Sequence, residues 1–159
     1  MNELKKPCLE WCIEHWIIER CSSCYIELDN VATQHCQTCN GTGYQFDIDE
    51  FIMSIAHNVS MSWFYTTKLE DDKNYISSVK VYLTYAIIQL LALAEIEDKE
   101  IKLDCYEIVE EKSINKMFKN ILVCITIRMM EISSIIWIYK IAKHLNINLI
   151  EEIKKEAEL

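Results

Sequence analysis

The chain has 159 residues, about half of them apolar, so one compact domain, or a small module joined to a helical body, can bury a sizeable core, and a disordered chain is excluded. Acidic side chains outnumber basic ones, 25 to 16, for a formal net charge of −9, and residues 1–48 and 49–159 are each net acidic. That balance repels phosphate backbones and supplies no basic stripe, which excludes non-specific nucleic-acid binding.

The opening, MNELKKPCLEWC, has no apolar run before its first cysteine and lacks the form of a secretory leader. A cytoplasmic location is expected, and in a reducing compartment the eight cysteines read as metal ligands or packed thiols rather than disulfides. Cys8, Cys12 and His15 share one face of a helix. Beside Trp11 and Trp16, that face either packs on a neighbour, the favoured reading, or contributes to a second metal site.

Further along stand Cys21-x-x-Cys24 and Cys36-x-x-Cys39, eleven residues apart. A C-x-x-C turn points both sulfurs the same way, and four thiolates suit tetrahedral zinc. Cys21, Cys24, Cys36 and Cys39 are therefore the expected zinc ligands; the alternative is a set of free, buried cysteines. The chain's two glycines, Gly41 and Gly43, follow Cys39. There the backbone must turn tightly around an ion, and positive φ costs glycine little. His35 adjoins Cys36, but the four-sulfur set leaves it no necessary role.

The C-x-x-C-x-G-x-G form of residues 36–43 resembles the cysteine-rich repeat of DnaJ-type chaperones. The stretch from Cys21 to about Phe51 is similar to the anti-TRAP proteins, in which two such pairs and a brief strand lead into a helix. These resemblances imply zinc and leave the role open, since such modules hold proteins, peptides or their own oligomers together.

From Tyr44 onward there is no Gly or Pro, so helix breaks must be read from polar clusters and caps. Asp47 or Asp49 caps a first helix running to Lys68, with Phe51, Ile55, Val59 and Trp63 on one face. LEDDKN (69–74) ends it. A second helix covers about 75–97; its run VYLTYAIIQLLALA is fourteen residues, short of a membrane span and interrupted by Thr84 and Gln89, and reads as a buried core helix. A short helix at about 103–112, one long helix at about 114–145 and a tail helix at about 148–157 complete the chain. Arg128, inside the long helix, finds its partner in Glu131. His57 and His144 have no partner near them in sequence, and Cys105 and Cys124 pack on apolar faces. The aromatic group Trp63, Phe64, Tyr65, Tyr75, Tyr82 and Tyr85 packs the core or lines a pocket for a base. No phosphate-binding loop or hydrolase motif occurs.

Residues 90–112 and 137–156 share a plan: an apolar helix, a polar break, a leucine, then a short acidic helix ending in lysine. Each half reads as a helical hairpin with a docked tail. The passage EISSIIWIYKIAKHLNINLIEEIKKE (131–156) resembles the final helices of the MazG-like, all-α nucleoside triphosphate pyrophosphohydrolases. YLTYAIIQLLALAE (82–95) overlays the same helix, and IAHNVSMSWFYTTK (55–68) resembles their first metal-binding helix. The resemblance implies an oligomeric bundle that holds magnesium between an E-x-x-E and an E-x-x-D pair.

Here Glu131 matches one acid, but Ser134 stands where the aspartate is due, and Tyr82 and Tyr85 fill both places in the earlier copy. The first helix offers Val59, Met61 and Phe64 where glutamates would fall. A triphosphate cannot be neutralised without those carboxylates. Glu95 with Asp98, and Glu107 with Glu110, keep the i, i+3 spacing elsewhere, either as a solvated acidic face or as a migrated magnesium site.

The sequence thus predicts a mainly α protein: a zinc-binding module over 1–48 and an all-α helical bundle over 49–159, built as two related hairpins and paired in a homo-oligomer. The favoured function is non-catalytic binding of a protein or a nucleotide-like ligand, including inhibition by sequestration, with zinc structural and no membrane contact. The alternative is a Mg2+-dependent nucleoside triphosphate pyrophosphohydrolase using Glu95, Asp98, Glu107, Glu110 and Glu131. A composition rich in Ile, Lys and Asn suits an AT-rich bacterial or phage genome.

Overall fold

The computed structural model describes residues 1–15, 17–23, 36–39, 41–101, 113–126 and 131–158, the side chain of Glu131 excepted. These residues form α1 (Asn2–Glu14), a ribbon of β1 (Glu19–Arg20) and β2 (Tyr44–Gln45), then α2 (Ile48–Lys68), α3 (Ile76–Ile96), α4 (Ile114–Thr126), α5 (Glu131–His144) and α6 (Leu149–Glu156). The protein is mainly α, a helical bundle, as its periodicities require.

Asp47, not Asp49, starts α2: its carboxylate accepts from the backbone N–H groups of Asp49 at 2.8 Å and Glu50 at 3.1 Å. One turn apart, Phe51, Ile55 and Val59 then face inward and are buried. Trp63 continues that line half-buried, stacking flat on Phe118 of α4 with ring centroids 6.0 Å apart while its Nε1 donates to Asn115 Oδ1 at 2.8 Å. Within 69–74, Asp72 caps a single 3-10 turn at Lys73–Tyr75 that leads into α3.

Helix α3 is the centre of the bundle, packed against α1, α2, α5 and α6 and buried without interruption from Ala86 to Ala94. By length and composition alone Lys73–Ile96 passes for a membrane span, but most of it lies inside the bundle. The interrupting Gln89 is wholly internal: its Oε1 accepts from Asn58 Nδ2 at 2.9 Å and its Nε2 donates to Ser54 Oγ at 2.8 Å. That polar bridge fixes the register of α2 on α3, since a slip would leave the buried Gln89 and Asn58 and the half-buried Ser54 unpaired.

The single long helix expected over 114–145 is two helices lying side by side, α4 and α5. A continuous rod of that length would run about 48 Å at 1.5 Å per residue, well past the 21-residue α2 and α3, and would strand Ile135, Ile138 and Ile141 in water. Paired, α4 and α5 bury all three. The short helix expected at 103–112, with Cys105, Glu107 and Glu110, lies outside the described residues, as does Arg128 of the expected Arg128–Glu131 pair.

Helix α1 docks along α3, so residue 48 does not divide two cores: Leu4, Cys8, Leu9, Trp11, Cys12 and Ile18 join the same hydrophobic cluster as α2–α6. Leu4 and Leu9 each contribute about 2 kcal/mol of burial there. Polar contacts fix the docking. Asn2 exchanges two hydrogen bonds with the backbone of Ile101, at 3.1 and 2.8 Å, and the buried Lys5 Nζ donates to the Lys99 carbonyl at 2.9 Å while pairing with Glu95 at 3.4 Å. A cation at that helix end also complements the α3 dipole.

Helices α3 and α5 end in the same way. Asp98 at φ 51° and Asn146 at φ 56° occupy the left-handed position where glycine usually stands. After each, an amide reaches back across the last turn at 2.8 Å, Lys99 to the Ala94 carbonyl and Ile147 to the Ala142 carbonyl. The internal echo is thus a repeated turn. Asn148 caps α6, which buries Leu149 and Ile153 and is pinned to α3 by Lys80 and Glu152 at 3.1 Å.

Candidate metal centre

The cysteine knuckle stands outside the bundle's core, with Cys21, Cys36 and Cys39 clustered on their own. Its shape follows from the residues after Cys36. The amide of Gly41 donates to the Cys36 carbonyl at 3.2 Å and that of Thr42 to the Cys39 carbonyl at 3.0 Å, closing a tight turn. Gly41 at φ 78° and Gly43 at φ 81° supply the positive angles it needs. The Thr42 hydroxyl ties the turn again, donating to the Cys39 carbonyl at 2.7 Å.

Gly43 then has two tasks. Its N–H donates to Cys39 Sγ at 3.3 Å, and its carbonyl accepts the N–H of Cys21 at 2.8 Å, continuing the ribbon in which Arg20 faces Tyr44. In this way Cys21, directly after β1, is drawn against the loop carrying Cys36 and Cys39. Thr38 Oγ1 and Ser23 Oγ, 3.3 Å apart, join the two loops on the outer side.

The sulfurs of Cys21, Cys36 and Cys39 lie within 4.8 Å of one another, and those of Cys21 and Cys36 are 3.8 Å apart. The donor set can hold a metal ion. Backbone N–H groups of Cys39 and Thr38, with the neighbouring thiols, hold the Cys36 thiol down to about 6, Cys39's amide contributing most. A sulfur so poised is a thiolate, the form that binds metals, at neutral pH. Cys24, the fourth expected ligand, and His35 lie outside the described residues.

Cys8 and Cys12 have the opposite character. Both are wholly buried between α1 and α3, and burial pushes the Cys8 thiol up to about 12 and the Cys12 thiol higher still. His15 does not approach them as a ligand: its ring stacks on Trp11 at 4.0 Å, with Nδ1 2.8 Å from the Trp11 carbonyl. These residues pack.

Of the acids considered for magnesium, Glu107, Glu110 and the side chain of Glu131 lie outside the described residues. Glu95 is engaged by Lys5, and Asp98 is the exposed left-handed residue ending α3. Ser134 is fully buried; it lines a cavity of about 20 Å³ with Ile52, Ile55, Leu90, Leu93, Cys124 and Ile125, room for a single water. Tyr85 lies 5.6 Å from Trp11 and donates to the Glu156 carboxylate; burial and that acid raise its pKa. Tyr82 and Tyr75 both stack on Tyr65, with Phe64 edge-on beside it and His57 edge-on to Tyr82. Tyr75, Tyr65 and Tyr82 thus form a stacked row on the outer side of the bundle, with Phe64 and Tyr75 exposed, while Trp63 and Tyr85 pack elsewhere, on Phe118 and beside Trp11. Comparison with protein-family models, characterised proteins and solved structures finds no match.

Sequence reasoning missed the long-range clamps of Asn2 and Lys5, whose partners lie 99 and 94 residues away. It also missed Thr42, for which the signal was present: a hydroxyl residue between two glycines beside a C-x-x-C pair is well placed to close the turn.

Proposed function

We propose that this chain is a non-catalytic binding protein whose N-terminal knuckle holds one structural zinc ion through Cys21, Cys24, Cys36 and Cys39. The observation that carries the metal reading is the 3.8 Å separation of the Cys21 and Cys36 sulfurs. Zinc bound tetrahedrally at about 2.3 Å from each sulfur places neighbouring sulfurs about 3.8 Å apart. The second C-x-x-C pair brings two of the ligands, Cys21 the third, and the first pair's spacing supplies Cys24 as the fourth. Such thiolates belong in a reducing compartment, and we place the protein in the cytoplasm, as a homo-oligomer.

In this reading the helical body is a MazG-like bundle without the carboxylates that family uses to hold magnesium. The engagement of Glu95 by Lys5 and the burial of Ser134 in an apolar wall support it. The bundle then binds rather than turns over its ligand, and the zinc shapes the face beside it.

Elemental analysis of the purified chain tests the metal half: about one zinc per chain is expected, lost in a Cys21→Ser/Cys36→Ser variant. Iron in its place, visible as a coloured thiolate complex, or no metal at all, would overturn it. A pyrophosphate-release assay across nucleoside triphosphates with magnesium or manganese tests the other half. No turnover is expected; turnover that disappears in Glu95→Gln restores the enzyme.

A further inference from the structure

A cavity lies where the knuckle meets the bundle. It is an open cleft of about 760 Å³, walled by the ribbon and the first turn of α2 on one side and the end of α3 on the other. That volume is within the range of ligand sites. Its floor is apolar: Ile17, Phe46, Ile48 and Ile96 are half-buried around the buried Leu93. Half-buried Ile and Phe side chains gathered in one concavity leave apolar surface that a ligand's apolar groups can cover favourably.

The rim has one sign of charge. Glu19, Asp47, Glu50 and Glu97 border the cleft, all exposed, and no Lys, Arg or His lines it among the described residues. Asp47 is committed to capping α2 and Glu97 pairs with Lys99. Glu19 and Glu50, on opposite ends of the ribbon-to-helix wall, make no ion pair among the described residues. Such a rim repels the phosphates of a nucleotide and attracts ammonium and guanidinium groups.

From the apolar floor and the acidic rim we infer that this cleft receives a basic peptide segment with apolar anchors, presented by a partner protein. The floor takes the anchors, and Glu19 and Glu50 meet the flanking lysines or arginines. This rests on the reading of the chain as a binding protein and narrows its ligand to a protein. Cys39 lines the cleft and the Cys21–Gly43–Cys39 hydrogen bonds hold its ribbon wall, so the metal centre fixes the shape of the site.

The test is fluorescence anisotropy of a short lysine/leucine peptide with the full-length, zinc-loaded chain, alongside a lysine/serine and a glutamate/leucine peptide. Binding of the lysine/leucine peptide alone is expected. Glu19→Lys/Glu50→Lys should weaken it at least about tenfold, whereas Glu70→Lys/Asp71→Lys, an equal charge change on the exposed turn after α2, should shift it less than about twofold. Should the first variant lose its helical circular dichroism, Glu19→Gln/Glu50→Gln takes its place, with weakening of about threefold expected. Equal binding of the lysine/serine peptide, equal weakening by both charge reversals, or no weakening by the glutamine pair overturns the inference. Zinc measured on the same sample separates the two readings: a chain that retains its zinc and ignores the peptide refutes the cleft and leaves the metal centre standing.

Discussion

Gly43 joins the two halves of the knuckle, donating its amide to the sulfur of Cys39 at 3.3 Å while its carbonyl holds the amide of Cys21 at 2.8 Å. Both contacts require the φ of 81° at which Gly43 stands. Gly43→Ala should therefore cost about 1–2 kcal/mol at this position and loosen the metal site with it. Competition with a chromophoric chelator is expected to show zinc affinity reduced at least tenfold relative to the parent, and an unchanged affinity would refute the role given to this residue.

The Cys36 thiol, held down to about 6 by the amides of Cys39 and Thr38, gives the metal-free chain a defined pH dependence. Because its folded value lies below the unfolded value of 9.0, the thiolate stabilises the fold fully above pH 9, progressively less from pH 9 to 6, and not at all below. Alkylation by iodoacetamide, mapped by peptide mass spectrometry, should show Cys36 reacting with a midpoint near pH 6. Cys8 and Cys12, raised by burial, should stay unmodified until the protein unfolds. Equal reactivity of Cys8 and Cys36 at pH 7 would contradict this assignment.

Gln89 bridges Ser54 and Asn58 inside the α2–α3 interface. Gln89→Leu leaves the buried Asn58 and the half-buried Ser54 without their partner, and urea unfolding should show a loss of about 2 kcal/mol. In a double-mutant cycle with Asn58→Leu, the second change should cost less than it does alone, because the orphaned amide is removed. Strict additivity would mean that the bridge does not act as a unit.

Asn146 ends α5 with a positive φ of 56°. Asn146→Ala should lower stability by about 1 kcal/mol, because a β-carbon without a local hydrogen-bonding group tolerates that conformation poorly, whereas Asn146→Gly should be neutral or better. Thermal unfolding of the two variants side by side checks the order.

Much of this architecture is local and was legible. The Asp47 cap, the inward line of Phe51, Ile55 and Val59, the core helix through Ala86–Ala94 and the Asn148 start of α6 each depend on spacing within one or two turns. The glycines beside Cys39 likewise announced a turn that only positive φ can make. What escaped depends on partners distant in sequence. Without Gly or Pro, apolar residues recur at helical spacing on both sides of the α4–α5 reversal, and only the need to bury Ile135, Ile138 and Ile141 decides that the chain doubles back. The docking of α1 was hidden for the same reason, since Asn2 and Lys5 find their partners across nearly a hundred residues. Asp98 and Asn146 read as members of polar breaks, because their rank among residues that tolerate the left-handed region is second to glycine, and glycine was absent there.

The placement of both glycines inside the knuckle, apart from the continuous core of α1–α6, has a thermal consequence. The most freely rotating backbone in the chain is confined to the loop that a bound ion would immobilise, and the helices do not lean on that loop for their own burial. Stripping the metal should therefore melt a small region at modest temperature and leave the bundle's main endotherm nearly where it was, so that calorimetry of the demetallated chain resolves two events where the loaded chain gives one.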